Sequence, residues 1–477
     1  MKIRIIIASL GLFISATSFA QVKKWTLEEC VNYALENNIS IQQSLLDAQS
    51  AEYNKKGAVG NFLPSVNANA SHSWNIGLNQ DITTGILVNQ TTQNTALGAS
   101  VGVDIFRGLN NLNQLHKANL QILANQYQID GMKDDISLMV ANAFLQILFN
   151  KESLKVAQSQ HQLNLSELER TSSLIENGQL PEGEIYDLEA NAASLEQQIV
   201  VAQNNVRLST ISLAQLLLIS DYDNFEIASD DYDIPASAIL DTNPGEIYMK
   251  ALQIRNEVKI SETNVEIAEK DYDLSVGGAM PTLSAFYSFN TRASNRGIVT
   301  GSEIDPDNPT QVIGVVDNSD RDNVVAPNYN VITGSADPLY DQFKFNKGHS
   351  FGLQLNIPIF NGFSNHVNMQ RNRINLEKAK LNLENTKIDL ESNVYQAYND
   401  ATAAAKAYTA ADKTQTARQQ AYNYAEERYG VGVINTFEFT QTKQALEAAQ
   451  SEVVRAKFDY IFKLKVLEFY FGIPITE

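Results

Sequence analysis

The sequence Ile105-Phe106-Arg107-Gly108 recurs as Ile359-Phe360-Asn361-Gly362, at an offset of 254 in residue number, and a long helix-forming stretch follows each copy. Leu109–Glu176 contains no proline and a single glycine, and Phe363–Gly430 contains no proline and no internal glycine. At a rise of about 1.5 Å per residue, each stretch would form a helix roughly 100 Å long. No compact globular domain needs such helices, so the sequence predicts an elongated protein.

Other segments repeat in the same order, which predicts an internal duplication. Thr26-Leu27-Glu28-Glu29 has the pattern of a helix capping box, and a second helix start, Asn243-Pro244-Gly245-Glu246, stands at an offset of 217 from it. Leu63-Pro64-Ser65 and Met280-Pro281-Thr282 share this offset. Each copy therefore reads as helix, strand, loop, strand, long helix, turn and helix. In the first copy the two shorter helices are predicted at roughly Thr26–Gly60 and Glu182–Ile219.

The boundaries of the two copies follow from these offsets. We place the first repeat at residues 21–240 and the second at residues 241–477. Because the offset changes from 217 to 254, the second repeat holds an insertion between Pro281 and Ile359 whose length is the difference, 37. It falls in a stretch at about residues 291–350 that is rich in Asn, Asp, Gly and Pro, which predicts a longer extracellular loop.

Short segments next to these landmarks alternate between apolar and polar residues. Such alternation is typical of barrel strands with one lipid-facing side, and it also fits a soluble sheet with one buried face. One chain supplies four strands, which cannot close a barrel, whereas three chains supply twelve. The apolar positions are Val66, Ala68, Ala70, Trp74, Ile76, Leu97, Ala99, Val101, Val103, Ile105, Phe351, Leu353, Leu355, Ile357 and Ile359.

The second long helix carries two apolar rows. One row has the spacing of three and four residues that is typical of a coiled-coil seam. The other row recurs at every seventh position at Ile374, Leu381, Ile388 and Tyr395, so this helix needs two neighbours. The seam consists of Leu376, Ala379, Leu383, Thr386, Leu390, Val394, Ala397, Ala401, Ala404, Tyr408 and Ala411.

The first twenty residues predict a cleaved signal peptide. Lys2 and Arg4 precede the apolar run Ile5–Ile14, and Ser18-Phe19-Ala20 supplies small residues at the cleavage site. The remaining sequence has no apolar run long enough for a helical membrane span. Its one cysteine, Cys30, excludes an internal disulfide.

Composition and motifs argue against several classes of function. The formal net charge of −19 disfavours nucleic-acid binding, which needs clustered Lys and Arg. The five histidines are scattered, and none has metal-ligand spacing with another or with Cys30. We therefore expect no catalytic residues, no cofactor and no metal site.

The order and spacing of these motifs, with Arg428-Tyr429-Gly430-Val431-Gly432 followed by Glu438, resemble the TolC-like outer-membrane efflux protein family over the whole mature chain. The resemblance implies a mixed α/β membrane protein. It implies a homotrimer with a twelve-stranded outer-membrane β-barrel, four strands per chain, continued by a long α-helical coiled-coil tunnel in the periplasm. It also implies a periplasmic adaptor protein and an inner-membrane transporter of the RND or ABC type as partners.

Family members close the tunnel at the helical tips, and the resemblance assigns a gate to Tyr429 and Glu438. The family's arginine position holds Ile434 here, and its second acid position holds Gln441; the counterparts in the first repeat are Glu184 and Asp187. Tyr429 could instead be a packing residue, and Glu438 a solvated acid at a helix start. The tips Gly178-Gln179-Leu180 and Gly432-Val433-Ile434 carry apolar residues next to a glycine, which suggests that Gly178, Leu180, Gly432 and Ile434 dock to the adaptor.

The sequence thus favours a passive exit duct for small molecules or proteins in an efflux or type I secretion system, without naming the substrate. A trimeric coiled-coil structural or adhesive surface protein is the alternative. A periplasmic adaptor would need a single helical hairpin, and two are predicted here.

Overall fold

The computed structural model describes residues 23–81, 85–228, 234, 238–317 and 320–474. The predicted signal peptide at residues 1–20 lies outside the described residues.

The chain divides into two compact units, each built from segments of both predicted repeats. Unit 1 contains helices and one short pair of strands, and unit 2 contains the main sheet. Unit 1 takes the described residues up to Ala51, Leu120–Glu266 and the chain from Glu377 onward, and unit 2 takes Glu52–Asn119 and Ile267–Leu376.

Helices account for most of the described residues. None of them contains a stretch that is long and apolar enough to cross a lipid bilayer. The helices are α1 (Leu27–Asn37), α2 (Ile39–Gly60), α3 (Asn110–Glu176), α4 (Glu184–Leu216), α5 (Pro244–Ile254), α6 (Asn256–Gly277), α7 (Leu339–Phe345), α8 (Ser364–Gly430) and α9 (Thr436–Phe471).

The strands form one larger sheet and three small pairs. β1 pairs with β4 in unit 1, a short parallel contact that the sequence did not predict. The strands are β1 (Lys24–Trp25), β2 (Ser65–Gln80), β3 (Leu87–Arg107), β4 (Glu226–Ile227), β5 (Thr282–Ser294), β6 (Ile298–Ile304), β7 (Thr310–Val315), β8 (Asn323–Pro327), β9 (Tyr329–Gly334) and β10 (Gly348–Asn356).

The capping residues read from the sequence start α1 and α5 as predicted. The Thr26 hydroxyl accepts a hydrogen bond from the Glu29 N–H, and the Glu29 carboxylate accepts one from the Thr26 N–H. Asn243 caps α5 by accepting from the N–H of Gly245, and Pro244 occupies the first helical position. These bonds satisfy N–H groups that a helix start otherwise leaves unpaired.

The predicted single helix from Thr26 to Gly60 is wrong, because it breaks at Asn38. Asn38 has an extended backbone (φ −63°, ψ 130°) and its side-chain oxygen accepts from the Ser40 N–H at 2.8 Å. It therefore ends α1 and caps the start of α2. Arg255, the corresponding residue of the second repeat, has nearly the same backbone conformation between α5 and α6.

The two long helices are confirmed, and each contains 67 residues. Each begins one residue later than predicted. Leu109 and Phe363 have positive φ values of 62° and 65°, and each follows a glycine with positive φ. A left-handed pair cannot belong to a right-handed helix, so α3 and α8 start after it.

The seam predicted on α8 is confirmed, since all eleven of its residues are buried or half-buried. Val394 and Ala401 are fully buried at its centre. The second row remains open in the single chain: Ile374, Leu381 and Ile388 are 57%, 64% and 55% exposed. One side of α8 is therefore covered by the chain itself, and the second apolar row is left largely exposed.

Two of the hydrophobic cores in the described part of unit 1 use corresponding positions of the two repeats. One core joins α1, the start of α2, α3 and α4 with part of α9, and the other joins α5, the start of α6, α8 and α9. Their buried members are related by the offset of 217 on the shorter helices before the strands and by the offset of 254 elsewhere. The corresponding pairs are Ala34 and Ala251, Ile41 and Val258, Ile136 and Leu390, Val140 and Val394, and Leu213 and Leu467.

The sheet of unit 2 is antiparallel throughout, in the order β10-β5-β3-β2. β2 and β10 are its outer strands, and almost all their side chains are exposed. The last strand ends at Asn356 and not at the predicted Ile359. Pro358 lacks the N–H that a sheet ladder needs, so pairing stops before it.

The loop predicted at about residues 291–350 contains regular secondary structure, and its extracellular position stays a prediction. β5 extends to Ser294, β10 begins at Gly348, and the segment between them forms the pairs β6–β9 and β7–β8 and the helix α7. Valine and isoleucine recur among its turn-forming residues, as at Val299, Val312 and Val331, and favour paired strands.

This four-strand segment should be dispensable for folding, because isolated two-stranded pairs are only marginally stable. Ile298 faces Gly334 in the register, so a short glycine-containing turn can replace Val299–Thr333. We expect the unfolding free energy to change by less than about 1 kcal/mol, since loop length alters it only slowly. Thermal unfolding and native mass measurement test this. Loss of folding or of assembly would assign the segment a structural role.

Candidate functional site

A tight turn connects each of the two long helices to the shorter helix that follows it. Gly178 has a φ of 69° and Gly432 a φ of 73°. In each turn the residue after the glycine donates its N–H to the carbonyl oxygen of the fifth residue before it, at 2.8 and 2.9 Å. This left-handed helix ending is favoured by glycine, because a Cβ atom there is strained.

An aromatic cluster holds the second turn together. The rings of Tyr429 and Phe439 stack with centroids 4.7 Å apart and planes 5° apart. The Tyr429 hydroxyl lies 3.2 Å from Oγ1 of Thr436. Tyr429 is therefore buried as a packing residue in this chain, and its role as a gate remains a prediction.

Ile434 is not the exposed docking residue that the sequence predicted. It is only 7% exposed and belongs to the same cluster as Tyr422, Tyr429 and Phe439. The reason is its place directly before Asn435, which caps α9 by accepting from the N–H of Glu438. A residue before the cap packs against the fourth helical residue, here Phe439, as a hydrophobic staple.

The apolar residues that the second turn does expose are its neighbours. Val431, Val433 and Phe437 are 75%, 64% and 77% exposed. Phe437 lies two positions before the buried Phe439 and so points to another side of α9. Of the other predicted docking residues, Leu180 is half-buried and Gly178 and Gly432 are exposed.

The predicted acidic residues lie at the starts of α4 and α9. Glu438 is in the first turn of α9, and its carboxylate lies 4.0 Å from an Arg428 guanidinium nitrogen in an exposed pair. Glu184 is half-buried, and Asp187 and Gln441 are exposed. Within the described part of the chain, no hydrogen bond or ion pair joins Glu184, Asp187 or Gln441 to another predicted gate residue.

A guanidinium that the sequence did not single out approaches Tyr429. Arg170 of α3 lies 6.0 Å from the centre of the Tyr429 ring. That distance is at the outer limit of a cation–π interaction. An arginine therefore contacts this turn from another helix, although the family's arginine position holds Ile434.

A buried polar network links α3, α4 and α9 beside this cluster. Nζ of Lys443 donates to Oδ1 of Asn164 at 3.0 Å, and Nδ2 of Asn164 donates to the Leu188 carbonyl oxygen at 3.0 Å. Burial lowers the pKa of Lys443 and raises the pKa of Glu167 and Glu447. In the sequence, the sign of this network was Lys443, because it interrupts the apolar spacing between Phe439 and Leu446.

In the part of the chain that the structure describes, no group of three or more His, Cys, Asp and Glu residues could hold a metal ion. The turns carry exposed apolar side chains and carboxylates. These groups suit docking to a partner protein and selection among ions.

Known proteins match this chain in sequence pattern and in fold. A sequence model of the family described as outer membrane efflux protein matches residues 30–217 and 247–472. No curated protein matches the chain significantly in sequence.

Several solved structures share this fold. The outer membrane protein VceC of Vibrio cholerae has a TM-score of 0.73 at 14% identity, over 94% of this chain and 96% of that one. The Campylobacter jejuni CmeC outer membrane channel has a TM-score of 0.69 at 15% identity, over 94% and 86%. The open state of the Neisseria gonorrhoeae MtrE outer membrane channel has a TM-score of 0.63 at 19% identity, over 94% and 89%.

The two neighbouring residues at the second turn should respond differently to truncation. Ile434→Ala should destabilise the turn by about 2–3 kcal/mol, because it leaves a cavity in the aromatic cluster. Val433→Ala removes a mostly exposed side chain and should change the stability by less than about 0.5 kcal/mol. Hydrogen exchange of residues 422–446 measures both. Equal exchange rates in the two variants would mean that the cluster does not stabilise the turn.

Proposed function

Because the chain belongs to the outer membrane efflux protein family, we propose that three copies of it form the exit duct of a tripartite efflux or type I secretion system. The protein is an efflux channel of the outer membrane with a large periplasmic portion. The trimer, the closed barrel and the partner proteins are the proposal. The observation that carries it is the pair of open edges on the four-stranded sheet.

Those edges make a single chain unsuited to lipid. The outer edges of β2 and β10 have no strand beside them in the described chain. Unpaired backbone N–H and C=O groups cost several kcal/mol each in hydrocarbon, so membrane-spanning sheets are closed barrels. Three chains supply twelve strands, an even number of the kind found in outer-membrane barrels.

The second apolar row of α8 supports the same assembly. Ile374, Leu381, Ile388 and Tyr395 are exposed and recur at every seventh position on one face. An apolar stripe of this kind is typical of a helix that packs against another helix. In a trimer, helices of the neighbouring copy can cover this row.

We also propose that the chain arose by duplication of one structural unit. The starts of α1 and α5 are related by the offset of 217 and their lengths are equal, as is also true of α2 and α6. Both ends of α3 and α8 are related by the offset of 254. The corresponding buried residues of the two cores support the same relation.

The proposed role is passive, with no catalytic activity, and a partner supplies the energy. Val431, Val433 and Phe437 form an exposed apolar patch at the second turn, which suits docking to a periplasmic adaptor protein. The inner-membrane transporter is of the RND or ABC type, and the cargo is either small molecules or proteins.

Location and assembly provide the first test. We expect the full-length protein to fractionate with outer membranes and to run as a trimer after detergent extraction, because the sheet edges require partners. Native mass measurement gives the number of copies. A monomer in the soluble periplasmic fraction would refute the proposal.

Ion selectivity tests the predicted gate. Threefold symmetry brings three copies of Glu438 near one axis, where carboxylates favour cations over anions. We expect Glu438→Gln to reduce cation selectivity in planar-bilayer conductance, and Glu184→Gln to reduce it less because Glu184 is half-buried.

A carboxylate outside the turns serves as the matched control. Glu303→Gln, in β6, changes the net charge equally and should leave selectivity as in the wild type. If Glu438→Gln also leaves selectivity unchanged, Glu438 is a solvated acid at a helix start and not part of a gate.

A further inference from the structure

The two hairpins of the main sheet have the same internal register. In the first, Ser65 faces Gly102 across β2 and β3. In the second, Thr282 faces Asn356 across β5 and β10. Each pair of the second hairpin corresponds to a pair of the first. Its residue numbers are obtained by adding 217 to the residue of β2 and 254 to the residue of β3. The hairpins are therefore equivalent residue by residue.

A hydrogen bond beside the first hairpin has an equivalent beside the second, and the residues of the two bonds are related by the same offsets. Nδ2 of Asn111 donates to the Asn61 carbonyl oxygen at 2.8 Å. Nδ2 of Asn365 donates to the Gly278 carbonyl oxygen at 3.0 Å. The equivalence thus extends from the strands to the ends of the adjoining helices.

Only one of the two possible junctions between hairpins occurs within the chain. β3 of the first hairpin pairs with β5 of the second, with Ser100 facing Ser288 and Ala96 facing Arg292. The reverse junction would join β10 to β2. Within one chain these two strands are separated by β5 and β3, so that junction needs a second copy.

We propose that β10 of one copy pairs antiparallel with β2 of the next copy in the register that the internal junction dictates. The same offsets convert the pair Ser100–Ser288 into Gln354–Ser71, and Ala96–Arg292 into Ser350–Asn75. The proposal rests on the proposed trimer and adds to it the residues of the interface.

The side chains that this register brings face to face also support it. It places Phe351 opposite Trp74 on one face of the sheet, and Asn356 opposite Asn69 on the other. Both aromatic rings are exposed in the single chain, at 82% and 61%. A shift by a single position would set each apolar side chain against a polar one.

Glycines at the base of the hairpins point to the same contact. A Cβ atom added at Gly277 would lie 2.5 Å from the Gly108 carbonyl oxygen, so these two glycines must meet closely within the chain. Their equivalents are Gly60 and Gly362, and a Cβ at either meets nothing within 4 Å. Gly60 ends α2 without a positive φ, so the single chain gives no reason for glycine there. Contact with Gly362 of the next copy supplies one.

Disulfide formation tests the register with four substitutions used in two combinations. Ser71→Cys with Gln354→Cys, and Asn75→Cys with Ser350→Cys, place the thiols directly opposite one another. Facing residues have Cα atoms about 4.5–5.5 Å apart, within disulfide range. We expect mild oxidation of the detergent-extracted protein to convert most of it to covalent dimers and trimers.

The recombined pairs are the matched control. Ser71→Cys with Ser350→Cys, and Asn75→Cys with Gln354→Cys, use the same residues four positions out of register. Their Cα atoms would be displaced by about 13 Å, too far to bridge. The native Cys30 is buried and its pKa is raised to about 12 by burial, so it should not react.

The outcomes separate this inference from the proposed function. Suppose that native mass measurement shows trimers. If the recombined pairs then cross-link, or if no pair cross-links, the register is wrong and the trimer stands. If no variant and no wild-type sample forms a trimer, both proposals are wrong. Cross-linking of the in-register pairs alone supports the interface.

A glycine variant tests the base of the interface independently. Gly60→Leu should lower the temperature at which the trimer dissociates, because its side chain would meet the Gly362 backbone of the next copy. Gly57→Leu, on the same helix and equally open, should dissociate as the wild type does. Equal dissociation temperatures for the two variants would overturn the glycine contact.

Discussion

A strand that borders lipid cannot leave its backbone N–H and C=O groups unpaired, because no water is present to bind them. In the proposed barrel this constraint applies to the sheet of unit 2, whose outer strands β2 and β10 each have an edge without a partner in the described chain. The proposed self-association follows from this constraint, and the register of the proposed interface follows from the equivalence of the two hairpins. The helices have a separate requirement, because the second apolar row of α8 is exposed and would be buried by packing against another helix.

Local signals made much of the fold predictable. The caps at Thr26 and Asn243, the proline-free length of α3 and α8, and the seam on α8 depend on residues close in sequence. Their hydrogen bonds and helical spacing do not require knowledge of the rest of the chain.

The errors arose where a competing interaction decided the structure. The Asn38 side chain caps α2 and divides the helix that was predicted as continuous over roughly Thr26–Gly60. Ile434 was read as exposed because it stands in a turn, but its position before the cap directs it into the cluster with Phe439. The strand pairs inside the predicted loop between β5 and β10 were not read from its Asn-, Asp-, Gly- and Pro-rich composition. Arg170 approaches Tyr429 at the second turn, and Asn164 approaches Lys443 of α9, from a distant part of the sequence, so the residues around the turn did not identify these two partners.

The equivalence of the two hairpins has a kinetic consequence. The junction of β3 with β5 closes within one molecule, so its rate does not depend on how much protein is present. The proposed junction of β10 with β2 is an encounter between molecules, and its rate rises with concentration. Two interfaces of nearly the same geometry thus obey different rate laws. The third junction of the ring closes within the assembled linear trimer and is first-order in any case. A concatemer of three chains would turn the two preceding encounters into intramolecular steps as well, with an effective concentration set by the linkers.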